Sequence, residues 1–122
     1  NTGGNVTRLR YRIVDISTAN QPAGPTADLR ALSSSSEPSV GPVNDTVTCA
    51  PGGTPCNVTV TATTLEMPPN QAIGGGYNST LSSGTITTGT PLPNGQSILI
   101  NFKLGVEKTG KFRFWVIVEA LP

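Results

Sequence analysis

A two-residue rhythm constrains this chain more than any other feature. From Val6 to Ile16, Leu9, Tyr11 and Ile13 alternate with Arg8, Arg10 and Arg12. Alternation of this kind puts successive side chains on opposite faces of an extended strand, whereas a helix needs apolar positions three and four apart. The rhythm returns in Cys56, Val58, Val60 and Ala62, in Ile98, Ile100, Phe102 and Leu104, and in Phe112, Phe114, Val116 and Val118. Turn-forming stretches such as Asn20-Gln21-Pro22-Ala23-Gly24-Pro25 and Pro91-Leu92-Pro93-Asn94-Gly95 separate these runs. Glycine and proline supply 14 and 11 of the 122 residues and charged residues only 12%, a balance that favours short strands over helices. The pattern predicts an all-β, two-sheet antiparallel sandwich of roughly seven to eight strands, built as one domain over residues 1–122.

Strands are expected at Val6–Ile16, Ala27–Leu32, Val43–Cys49, Cys56–Thr64, Leu81–Thr88, Ser97–Val106 and Lys111–Leu121. The segment Ser33 to Pro42, four serines followed by proline and glycine, reads as loop. Glu66 to Asn78 reads as structureless, with Gly74-Gly75-Gly76 a flexible loop that lacks the lysine and helix of a phosphate site. The last strand is apolar on both sides in its middle, so it is expected either at the centre of its sheet or under a partner.

Cys49 and Cys56 flank a short loop rich in proline and glycine, a spacing that brings the thiols together at the tip of a hairpin. Two thiols without histidine make a poor zinc site, so a disulfide and an oxidising compartment are expected. The longest apolar stretch, Phe114 to Val118, is far short of a membrane span, and a net charge of +1 gives no footprint for nucleic acid. The chain begins at Asn1 without methionine, which suits a processed mature chain or an excised domain.

Pro91-Leu92-Pro93-Asn94-Gly95-Gln96-Ser97 ahead of Ile98-Leu99-Ile100-Asn101-Phe102, followed by Gly110-Lys111-Phe112-Arg113-Phe114-Trp115-Val116, resembles the closing hairpin of immunoglobulin-like repeats in large secreted bacterial proteins. Thr7-Arg8-Leu9-Arg10-Tyr11-Arg12-Ile13-Val14-Asp15 and Leu65-Glu66-Met67-Pro68-Pro69-Asn70 are similar to C-terminal domains of this kind in environmental bacteria, acidobacteria among them. The resemblance implies an immunoglobulin-like sandwich in an extracellular or cell-surface setting, and it carries over no catalytic residue.

No histidine is present, which removes the usual acid–base and triad partners, and the seven acidic residues are widely separated. No catalytic residue, cofactor or metal is therefore expected. Lys103 and Asn101 share a strand and so do not suit an intramolecular isopeptide. The candidates left are interaction residues. Arg8, Arg10 and Arg12 lie about 7 Å apart along one face, either paired with Glu107, Glu119 or carbonyls, or forming a basic stripe for an anionic polymer or a neighbouring subunit. Trp115 belongs either to the second sheet's core or to an exposed contact, and Tyr77 is the better-placed aromatic for a sugar. Asn5, Asn44, Asn57 and Asn78 begin Asn-X-Ser/Thr glycosylation sequons. The expected role is a non-enzymatic building block that meets neighbouring domains or identical subunits. The segment Val6–Ile16 is the expected strand donor and Phe112–Val118 the receiver, and an accessory polysaccharide-binding module is the competing role.

Overall fold

In the computed structural model, which describes residues 1, 3–18, 27–38, 44, 49–66 and 72–122, the first alternating segment is the longest strand, β1 (Arg8–Ile16). Leu9, Tyr11 and Ile13 point into the core. A bulge between Ile13 and Asp15 then inserts one residue and brings Ile16 back to the buried face, where strict alternation would have turned it outward. The strands that follow are β2 (Asp28–Leu32), β3 (Glu37–Pro38), β4 (Thr59–Ala62), β5 (Thr64–Glu66), β6 (Thr80–Ser82), β7 (Ile100–Asn101), β8 (Lys103–Lys108) and β9 (Phe114–Leu121). Among the described residues there is no helix, as the rhythm requires.

One sheet has the order β5-β6-β1-β9 and is antiparallel throughout. The antiparallel pair β2-β8 forms a second unit and β3-β4-β7 a third. In the third, β4 and β7 run parallel, with Thr61 opposite Ile100 and Ala62 opposite Asn101. That pairing departs from the wholly antiparallel expectation. A long run of turns after β6 delivers β7 beside β4 in the same direction, which a hairpin could not do.

The core lies between the inner face of β1 and the β2-β8 pair. Leu9, Tyr11, Ile13, Ile16, Leu29, Ala31, Leu81 and Ile86 form one buried cluster, flanked by Phe102, Leu104, Phe114 and Val116. Each fully buried aliphatic side chain in such a cluster contributes about 1.5–3 kcal/mol. Phe102 interrupts the predicted strand Ser97–Val106 between β7 and β8, and its ring meets Tyr11 edge-on at 5.0 Å and Phe114 at 5.7 Å. Burial pushes the Tyr11 hydroxyl up to about 12.

Three other expectations change. Leu81–Thr88 shortens to Thr80–Ser82 and continues as turns. The glycine triplet packs closely: Gly75 and Ala31 exchange both backbone hydrogen bonds, at 2.8 and 2.9 Å. A Cβ on Gly74 would lie 2.7 Å from the Ala31 carbonyl oxygen, and its φ of +108° belongs to the region glycine favours. This glycine run is a packed closure of β2's edge. The serine run is likewise more than loop: Ser33, Ser34 and Ser36 Oγ accept the N–H groups of Leu65, Thr63 and Ala62 at 2.9, 2.8 and 3.1 Å. Cys49 and Cys56 are joined in a disulfide, which places the chain in an oxidising, non-cytoplasmic compartment. Most of the predicted arm Val43–Cys49 lies outside the described residues.

Candidate interaction surface

Backbone parity defines the surface. Leu9 C=O accepts from Ser83 N–H and Ile13 N–H donates to Ser79 C=O, so these residues turn their hydrogen-bonding groups toward β6. Arg10 and Arg12, one step out of phase, turn theirs toward β9, opposite Glu119 and Ile117. Beyond the bulge Ser17 N–H donates to Arg113 C=O, and Asp15 faces Trp115. Thus Arg113, Trp115, Ile117 and Glu119 spend their backbone groups on β1. Phe114, Val116, Val118 and Ala120 turn theirs outward. Among the described residues no strand lies beyond β9.

This corrects the alternative that put the last strand at the centre of its sheet. β1 holds that position, with β6 on one side and β9 on the other, so the expected donor segment Val6–Ile16 has both edges filled. The exposed edge belongs to β9. Its outer face carries Trp115, 64% exposed, and Ile117, 54%, and its inner face carries Val118, 58%. Leu121 at its end and Phe112 just before its start are also exposed. Inside, an apolar groove of about 440 Å³ runs between Leu9, Tyr11, Val118 and Ala120 on one side and Leu92, Ile98 and Ile100 on the other. A long apolar edge without lysine or proline is an open template for another strand.

The basic row sits next to this edge. Arg8 is exposed, Arg12 Nε donates to Glu119 Oε1 at 2.7 Å, and Arg113 Nε donates to Asp15 Oδ2 at 2.9 Å. Arg10 Nε lies 3.1 Å from Glu66 Oε2 as an ion pair, but it is buried and off the line of a hydrogen bond. The hydrogen bond from Arg12 holds the Glu119 carboxyl below its ordinary value, with smaller contributions from the Arg12 and Arg10 charges, and Arg12 is held correspondingly above its own. Of the two expected acidic partners, Glu119 takes up its place. The partners at Glu66 and Asp15 come from strand register, which sequence spacing does not reveal.

Trp115 is exposed beside the arginine row and does not enter a core. Tyr77, 72% exposed, stands in a turn next to Asn78. Asn5, Asn44, Asn57 and Asn78 are all exposed, and Asn78 Oδ1 accepts a hydrogen bond from Arg12 Nη1 at 3.3 Å. Among the described residues no group of three or more histidine, cysteine, aspartate or glutamate side chains converges as a metal site. No protein family, no curated protein and no solved structure matches this chain.

Proposed function

We propose that this chain is an immunoglobulin-like two-sheet sandwich that serves as a non-enzymatic building block of an extracellular or cell-surface assembly, joining its neighbours through the outer edge of β9. The observation that carries this reading is an eight-residue strand that turns half of its backbone groups outward and exposes apolar side chains on both faces. Addition of a strand there supplies main-chain hydrogen bonds for affinity and side-chain pairs for selectivity. The disulfide suits an extracellular setting, and a chain without histidine is poorly equipped for acid–base chemistry.

Val118→Pro tests the reading. Proline there removes one outward N–H and leaves the ladder to β1 intact, as edge strands tolerate. The native chain is expected in high-mass extracellular material, and the variant is expected to fold, by circular dichroism, and to be absent from that material. Recovery of native and variant chains alike as monodisperse monomers by electron microscopy would remove the proposal.

A further inference from the structure

The residues of β9 and the two before it match in character about Val116, apolar with apolar and one unlike-charged pair. On either side stand Trp115 and Ile117, then Phe114 and Val118, then Arg113 and Glu119, then Phe112 and Ala120. We infer that the partner of the β9 edge is a second copy of this chain, paired antiparallel across a two-fold axis at Val116. This inference rests on the proposal that the β9 edge is the working surface, and it names the occupant.

The register follows from parity and charge. Only Phe114, Val116, Val118 and Ala120 have outward backbone groups, so a symmetric antiparallel pair must hydrogen-bond through them. Centring the pair on Val116 sets Val116 against its own copy and Phe114 against the second copy's Val118. On the outer face it sets Trp115 against Ile117 and Arg113 against Glu119. Apolar then meets apolar, and unlike charges meet at both ends of the patch. Registers displaced toward Leu121 do worse. Centring on Ile117 puts Trp115 against Glu119 and Arg113 against Leu121, and centring on Val118 puts Ile117 against Glu119. In the chosen register the carboxylate of Glu119 lies between Arg12 of its own chain and Arg113 of the second copy. Asp15 continues the row beyond Arg113, so charges alternate in sign across the join. The surface matched in this way is isologous, as two-fold dimers require.

Two measurements on the full chain with its disulfide intact decide the matter. Sedimentation velocity is expected to show a concentration-dependent dimer, weakened about tenfold or more by Val118→Pro, which removes two symmetry-related backbone bonds. Cysteine placement then reads the register. Paired residues in a hydrogen-bonded antiparallel register have Cα atoms about 5.5 Å apart, within disulfide reach. Val116→Cys is therefore expected to form a covalent dimer under mild oxidation. Val118→Cys is expected not to, because its own copy lies four residues along the strand, about 13 Å away. A chain that stays monomeric at every concentration, or cross-links through position 118 and not 116, overturns the inference. Loss of Val118→Pro from native assemblies would in that case still stand, and would assign the edge to a different partner.

Discussion

The sheet β5-β6-β1-β9 has two ends, and they are finished in opposite ways. At one end β5 is three residues long, Leu65 N–H is taken by Ser33 Oγ, and Glu66 pairs with Arg10. The nearby edge of β2 is closed by Gly75 through two backbone hydrogen bonds. At the other end β9 runs for eight residues, turns half of its backbone groups outward, and exposes Trp115, Ile117 and Val118. A domain that seals one end with a serine hydroxyl, and the neighbouring edge of β2 with close-packed glycine, has the means to avoid edge pairing. Leaving the other end long and apolar is therefore a feature to be explained, and strand addition explains it.

The largest loss of stability is expected at the glycine closure. Gly74→Ala would bring a methyl group to 2.7 Å from the Ala31 carbonyl oxygen, a backbone atom that cannot swing aside, and would place alanine at a φ of +108°. Strain of this kind together with overpacking costs on the order of 2–4 kcal/mol. Chemical denaturation with the disulfide intact is expected to show a lowered midpoint. An unchanged midpoint would mean that the β2 edge is not held closed by this contact.

The serine seal is expected to matter less. Ser34 Oγ accepts from Thr63 N–H at 2.8 Å and donates to Asn101 C=O at 2.7 Å. Ser34→Ala leaves the amide of buried Thr63 without this acceptor, while Asn101 C=O keeps the Thr63 hydroxyl at 3.1 Å. A loss of about 1–2 kcal/mol is expected, readable in the same denaturation experiment, with self-association through β9 unaffected. If Ser34→Ala instead altered association, the two ends of the sheet would not be independent.

The strands were legible where alternation was strong. β1, β4 and β9 lie within the segments where alternation is strongest, and the loop of Cys49 and Cys56 closes as its spacing suggests. What sequence periodicity could not supply was order within the sheet. Both β1 and β9 are apolar enough to be central. Register decides between them, because β6 brings Thr80, Leu81 and Ser82 against Arg12, Tyr11 and Arg10 and so leaves β9 outermost. Composition also hid the closures. A run of four serines and a run of three glycines look like slack chain, yet their hydroxyls and bare backbone are what lets them approach a strand edge closely. The ion pairs Arg10–Glu66 and Arg113–Asp15 join residues 56 and 98 positions apart, a distance across which no local pattern operates.

The smallest effect is expected at the open end, from Glu119→Gln. The hydrogen bond from Arg12 holds this carboxyl below its ordinary value in the folded chain, so folding gains from its ionised form. The gain is complete above the ordinary carboxylate value of the unfolded chain and is lost as pH falls through the lower value of the folded one. Both groups are partly exposed, so the stabilisation at neutral pH is slight and screened by salt. Measured at dilutions where the chain is monomeric, Glu119→Gln should make stability fall less steeply with acidification than in the native chain and change little at neutral pH. At concentrations where chains associate, the same substitution should weaken association as well, since the lost charge faces Arg113 across the two-fold axis. A variant with an altered acid limb but unaltered association would keep Glu119 as a partner of Arg12 alone and shift the register of the β9 edge away from Val116.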